Sequence, residues 1–125
     1  MMQALGLVEV VGLAAACEAA DVACKTANVE LVGYELAKGG GYVTIKVLGN
    51  VGAVNAAVDA AATAAGRINR VVSRLVIPRP SDQVEPLVFS PATVGYEAPK
   101  PEPVVADEPP AEPAKAPRAK PAPKA

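Results

Sequence analysis

Two alanine-rich segments, each placed between runs of β-branched residues, limit most strongly what this chain can fold into. Alanine has the highest helix propensity, whereas valine and isoleucine favour strands. Six segments follow one another: a strand at 4–12, a helix at 13–27, strands at 28–36 and 42–49, a helix at 50–67 and a strand at 70–80. The order β-α-β-β-α-β predicts an α+β fold of the ferredoxin-like type, with a four-stranded antiparallel sheet and both helices on one face.

Local patterns within these segments predict the caps and the core. Asn50 is a good N-cap for the second helix, and Gly66 is a plausible stop. In the third strand, the alternation of Val43, Ile45 and Val47 with polar residues predicts one buried face. In the first helix, the apolar residues Leu13, Cys17, Val22 and Cys24 are spaced for one face, which we expect to be the core face.

The two cysteines, Cys17 and Cys24, are seven residues apart on this predicted helix. Two helical turns separate them by roughly 10 Å, which is too far for a disulfide. We interpret them as buried, small apolar side chains.

A change of composition divides the chain near residue 85. Eleven of the thirteen prolines lie from Pro86 onward, in a segment without apolar periodicity. Such a segment buries too little surface to offset the entropy of ordering it. We therefore expect a folded domain at residues 1–85 and a disordered, proline- and alanine-rich tail at 86–125.

The composition also excludes several classes of function. The net charge is −1, histidine is absent, and no spacing suggests a metal site or a nucleophile–base pair. We expect no catalysis, no cofactor and no metal, and a net charge near zero disfavours nucleic acid as a partner. The N-terminal segment lacks a basic stretch, and no run of about twenty apolar residues occurs, which predicts a cytoplasmic protein without signal peptide or membrane span.

Three adjacent glycines, Gly39, Gly40 and Gly41, separate the second and third strands. Glycine loses more backbone entropy on folding than other residues and has no side chain to pack. An ordinary hairpin needs only one or two residues with positive φ. Either the turn is unusually tight, or a function requires bare backbone there.

Several blocks in order and spacing resemble the hexameric shell proteins of bacterial microcompartments, the BMC domain family. These blocks are "ALGLVEVVGLAAACEAADVACKTANVELVGYE", a glycine turn, "VTIKVLGNVGAVNAAVDAA" and "VIPRPSDQVE", and they cover about residues 3–85. The resemblance implies a circular variant of the ferredoxin-like fold. It also implies that six copies form a flat disc with a central pore, and that discs tile into a sheet enclosing enzymes.

The resemblance also implies roles for particular residues. Gly39, Gly40 and Gly41 would line the pore on the sixfold axis, with Gly40 narrowest and Lys38 flanking it. Backbone N–H groups and lysines there would favour small polar or anionic metabolites. Five residues, 34–38, precede the turn where the family usually has four. We therefore expect either a bulge or a reversal of side-chain facing.

For the contact between hexamers, the resemblance implies Lys25 and Arg79 at the edge of the disc. Pro78 and Pro80 would fix the backbone around Arg79. The implied partners are five further copies of the chain and other shell proteins (hexamers, pseudohexameric trimers and pentamers). Enclosed enzymes would be bound through short peptides or the tail.

Two other functions remain open for a fold of this type, because the fold alone does not determine function. One is a small-molecule-binding regulatory module, which would form a small oligomer and no sheets. The other is an enzyme of the acylphosphatase kind, but the loop after the first strand lacks the arginine that such a phosphate loop needs.

Overall fold

The computed structural model describes residues 2–96 and confirms the predicted β-α-β-β-α-β order. Strand β3 has the predicted bounds, and the other predicted elements end within a few residues of the observed ones. The elements are β1 Ala4–Val11, α1 Leu13–Thr26, β2 Glu30–Leu36, β3 Tyr42–Gly49, α2 Val51–Gly66, β4 Val71–Ile77, a 3-10 turn Asp82–Val84, α3 Glu85–Val88 and β5 Thr93–Val94.

The strands form one antiparallel sheet in the order β4-β1-β3-β2-β5. The first four strands are those predicted. The fifth is a two-residue strand in which Thr93 and Val94 pair with Glu35 and Tyr34 of β2. It was not predicted because it lies in the proline-rich part of the chain, where no alternating pattern marks a strand.

Helices α1 and α2 pack side by side on one face of this sheet. Val43, Ile45 and Val47 of β3 are buried beneath them, as the alternation predicts. Both helices face the sheet mainly with alanine, and these small side chains allow close approach. Asn50 caps α2 by accepting a hydrogen bond from the backbone N–H of Ala53 at 2.9 Å, so the predicted cap is confirmed.

The interpretation of the two cysteines as buried is wrong for the single chain. Cys17 and Cys24 are both exposed, and Leu13 on the same stripe is 47% exposed. The buried residues of α1 are instead alanines, at positions 15, 16, 19 and 23. Only side chains of that size fit where α1 lies against both α2 and the sheet, so the larger apolar residues point away.

The opposite face of the sheet is partly covered by residues beyond the predicted domain boundary. A second apolar cluster joins Leu5, Val32 and Leu48 of the sheet to Val88 of α3. The fold therefore continues past residue 85 to Tyr96, and residues 86–96 do not belong to a disordered tail. The remainder of the predicted tail, 97–125, lies outside the described residues.

Candidate functional site

The two groups of residues singled out by the sequence lie at opposite ends of the sheet. The glycine turn joins the end of β2 to the start of β3, next to Val11 at the end of β1. Helix α1 then runs back along the sheet and ends near Lys25. Strand β4 ends at Ile77, which pairs with Leu5 near the start of β1. Eight-residue strands separate these two ends by roughly 25 Å.

The glycine turn has a backbone that requires glycine at all three positions. Gly39, Gly40 and Gly41 have φ of 86°, 68° and 70°, in the left-handed region that other residues rarely adopt. The N–H of Ala37 donates to the carbonyl of Tyr42 at 3.0 Å and closes the turn, so four exposed residues, 38–41, form the loop. The conformation alone thus accounts for the three glycines, and their bare backbone is exposed as well.

Tyr42 and Arg70 support this turn. A Cβ atom on Gly40 would lie 3.1 Å from the Tyr42 ring, so the middle of the loop folds over that ring. The Arg70 guanidinium donates to the Tyr42 hydroxyl at 3.2 Å, with its carbon 5.9 Å from the ring centroid. The N–H of Gly12 also donates to the carbonyl of Gly41 at 2.8 Å. The role of Arg70 could not be predicted, because no local sequence pattern links it to a turn thirty residues earlier.

The extra residue before the turn does not produce a bulge where it occurs. The pairing of residues 33–36 with β3 is regular up to Leu36 opposite Val43. The one register shift in this pair lies earlier, between Leu31 and Gly33. Lys38 is therefore placed in the loop itself, where it is exposed.

At the other end of the sheet, Lys25 projects from the last turn of α1. Its ammonium contacts the Asp21 carboxylate at 2.8 Å, one helical turn earlier, and the two side chains are 74% and 52% exposed. The hydrogen bond that Lys25 donates to Asp21, followed by the negative charge of Asp21, raises the pKa of Lys25 above the ordinary value of 10.5. The ammonium therefore stays charged throughout the neutral range.

The Pro-Arg-Pro segment directly follows β4 at this same end. Pro78 and Arg79 are exposed, whereas Pro80 is buried. The buried proline anchors the segment to the body of the protein, and its ring fixes the local backbone. Arg79 is thus presented to solvent at the end that also carries Lys25.

Large apolar residues are exposed along both sides of the sheet. On the β2–β5 side, Leu13, Cys17, Leu31 and Val94 line a mainly apolar groove of about 310 Å³. On the β4 side, Leu75 and Ile68 are each 51% exposed. Two different apolar surfaces on opposite sides of one chain suit head-to-tail contact between copies.

The part of the chain that the structure describes contains no group of three or more His, Cys, Asp and Glu residues arranged to hold a metal ion. None of the helices in residues 2–96 is long and apolar enough to cross a membrane.

Comparison with known proteins gives matches over most of the described chain. The model of the BMC domain matches residues 4–80. The chain is 55% identical to the bacterial microcompartment shell protein PduA of Citrobacter freundii over 86 residues, which are 69% of this chain and 91% of that protein. It is 51% identical to the carboxysome shell protein CsoS1 of Prochlorococcus marinus over 84 residues, 66% of this chain and 81% of that protein.

A solved structure shows the same fold. A crystal structure of a microcompartment protein from Desulfitobacterium hafniense superposes with a TM-score of 0.63 at 34% sequence identity. The match covers 68% of this chain and 48% of that chain, so this chain spans about half of the solved one.

Proposed function

Because this chain belongs to the BMC domain family, we propose that it is a structural, non-enzymatic shell protein of a bacterial microcompartment. In this proposal six copies form a ring with a central pore. Rings tile into a sheet in the cytoplasm that encloses enzymes, together with other shell proteins. The relatives' names supply the role, and the arrangement of the residues supports the finer description.

The observation that carries the proposal is the separation of the glycine turn from Lys25 and Arg79. In a flat ring, the end of a subunit on the axis lies opposite the end on the rim. The exposed glycine turn is at one end of the sheet, and the two exposed cations are at the other. The fold therefore allows a pore at the turn and contacts between rings at Lys25 and Arg79.

The apolar surfaces on the two sides of the sheet supply the contact within the ring. The groove at Leu13, Leu31 and Val94 would receive the β4 side of the next copy, where Ile68 and Leu75 are exposed. Such a heterologous contact closes into a ring when the rotation per copy divides a full turn. It also explains why the apolar stripe of α1 is exposed in the single chain.

The pore in this proposal is formed by Gly39, Gly40 and Gly41, and Lys38 stands beside it. Residues at a sixfold axis meet five copies of themselves, so the absence of side chains keeps the opening wide. Lys38 would place six positive charges around the opening. We expect small polar or anionic metabolites to pass through this pore.

Negative-stain electron microscopy of the purified protein at low and high concentration, together with its mass in solution, tests the proposal. We expect hexagonal rings with the mass of six chains, which tile into sheets or tubes as the concentration rises. A dimer or trimer that forms no sheets at any concentration would contradict it.

The open groove also favours a second candidate, a small-molecule-binding regulatory module. Its apolar lining and volume of about 310 Å³ are in the range of ligand sites. That function requires the groove to remain free in the oligomer. A small oligomer whose melting temperature rises with an apolar metabolite would support it.

A further inference from the structure

A buried lysine on β3 connects the sheet to the segment that follows the BMC domain match. Lys46 is 4% exposed and lies in the middle of the sheet, between the buried residues Ile45 and Val47 of its own strand. Its ammonium donates to Thr93 Oγ1 at 2.8 Å, to the carbonyl of Leu87 at 3.0 Å and to that of Val88 at 3.2 Å. A lysine ammonium has three protons, and here each has a near acceptor.

All three acceptors belong to residues 81–96, which we call the strap. The strap contains the 3-10 turn, α3 and β5, and it begins after residue 80, where the BMC domain match ends. Glu35 of β2 completes the cluster: its carboxylate is 3.5 Å from the Lys46 ammonium and accepts a hydrogen bond from the Ser90 hydroxyl at 2.7 Å. The polar contacts thus join two central strands to both halves of the strap.

The strap also makes apolar contacts, but these are modest. Val88 is its one fully buried apolar residue in the cluster with Leu5, Val32 and Leu48. Val84, Phe89 and Tyr96 of the strap pack against this cluster but are only partly buried, and Leu87 is 69% exposed. Strand β5 contributes only two residue pairs. A Cβ on Gly33 would lie 2.2 Å from the carbonyl oxygen of Val94, so the strap approaches β2 as closely as backbone permits.

We propose that Lys46 is a latch that holds the strap closed over the sheet face opposite α1 and α2. Leaving a buried ammonium without its acceptors is costly, so the strap carbonyls and Thr93 are held where Lys46 requires them. Without the ammonium, the strap keeps only one fully buried apolar side chain, partly buried neighbours and the two residue pairs of β5, and it opens as a unit while the sheet stays folded.

The latch also determines on which face of the sheet the strap ends. Tyr96, the last described residue, packs with the apolar cluster of that face, and its ring centroid is 4.9 Å from that of Phe89. With the strap closed, the described part of the chain therefore ends on the face of the sheet opposite the helices. This inference does not depend on ring or sheet formation.

Hydrogen exchange of the full-length protein tests the latch. Lys46→Met keeps most of the unbranched apolar stem and removes the ammonium, with its charge and its three N–H donors. We expect the amides of Phe89, Thr93 and Val94 to exchange about tenfold faster or more than in the unaltered protein, while β1 and β3 keep their protection. Thr93→Val, which keeps the shape and removes the nearest acceptor, should give the same pattern. The two changes together should exceed Lys46→Met alone only slightly, because Lys46→Met already removes the contact with Thr93.

Lys38→Met is the matched control, since it removes an exposed lysine charge from the glycine turn, and it should leave strap exchange unchanged. Strap exchange as slow in Lys46→Met and Thr93→Val as in the unaltered protein would overturn the proposal, because apolar packing would then be sufficient. Equal acceleration of strap, β1 and β3 amides would also overturn it, because Lys46 would then support the whole fold.

Discussion

At the scale of the residue, two glycines of the turn have nearly the same backbone but different surroundings. Gly40 and Gly41 have φ of 68° and 70°. A Cβ at Gly40 meets the Tyr42 ring at 3.1 Å, whereas a Cβ at Gly41 meets nothing within 4 Å. Both alanine variants have the left-handed backbone cost of about 1–2 kcal/mol, and Gly40→Ala has the ring contact in addition.

We therefore expect both variants to melt at lower temperature, with Gly40→Ala several degrees below Gly41→Ala. For a domain of this size, roughly 4–8 °C corresponds to 1 kcal/mol. Thermal unfolding followed by circular dichroism at one protein concentration measures the difference. Equal melting temperatures would show that the Tyr42 ring moves away from the new methyl group without a measurable loss of stability. A bulky residue at Gly40 would strain the turn itself. If such a variant changes the passage of metabolites through the pore, its melting temperature must therefore be compared as well.

Individual residues also show which features a sequence can and cannot reveal. The Asn50 cap and the need for glycine in the turn follow from local chemistry, and both were predictable. The alternation of β3 correctly placed Lys46 on the face away from Val43, Ile45 and Val47. Alternation assigns a face but does not tell whether that face is covered, and for this reason the burial of Lys46 was missed.

At the scale of the element, α1 shows the same limit for a helix. Its apolar stripe through Leu13 and Cys17 predicts a core face, yet the single chain leaves the stripe exposed and buries alanines instead. Periodicity identifies an apolar face but not its partner. In the proposed ring, the partner is the next copy of the chain.

The strap includes β5, which no pattern indicated, and two truncations test the contribution of this part of the chain. A chain that ends at Ser90 lacks Thr93 and Tyr96, and therefore leaves Lys46 without its nearest acceptor. A chain that ends at Tyr96 keeps every described contact. The loss of a buried charged hydrogen bond costs roughly 1–3 kcal/mol.

We expect the chain ending at Ser90 to melt several degrees below the chain ending at Tyr96, and the latter to melt close to the full-length protein. Differential scanning calorimetry at equal concentration compares the three. Should the two truncated chains melt together, β5 and the Thr93 contact contribute nothing, and the strap ends at Ser90.

At the scale of the whole molecule, the two ends of the sheet have separate tasks in the proposed assembly. Ring closure relies on the exposed apolar residues along the β2–β5 side and the β4 side of the sheet. Contact between rings relies on the end of the sheet that carries Lys25 and Arg79. A change at Lys25 should therefore separate the two levels of assembly. The side chain is 74% exposed, and its contact within the chain is with the exposed Asp21, so its removal should leave the fold intact.

We expect Lys25→Ala to form rings with the mass of six chains but no extended sheets, as judged by sedimentation and negative-stain electron microscopy. Lys38→Ala is the control of equal charge change at the opposite end, and it should tile normally. Because Asp21 raises the pKa of Lys25 above 10.5, the ammonium is protonated below that value and loses its proton only at higher pH. Varying the pH from roughly 6 to 9 should therefore not reproduce the effect of Lys25→Ala. If Lys25→Ala still formed sheets, or if Lys25→Ala and Lys38→Ala both lost them, the proposal that Lys25 forms the contact between rings would be contradicted.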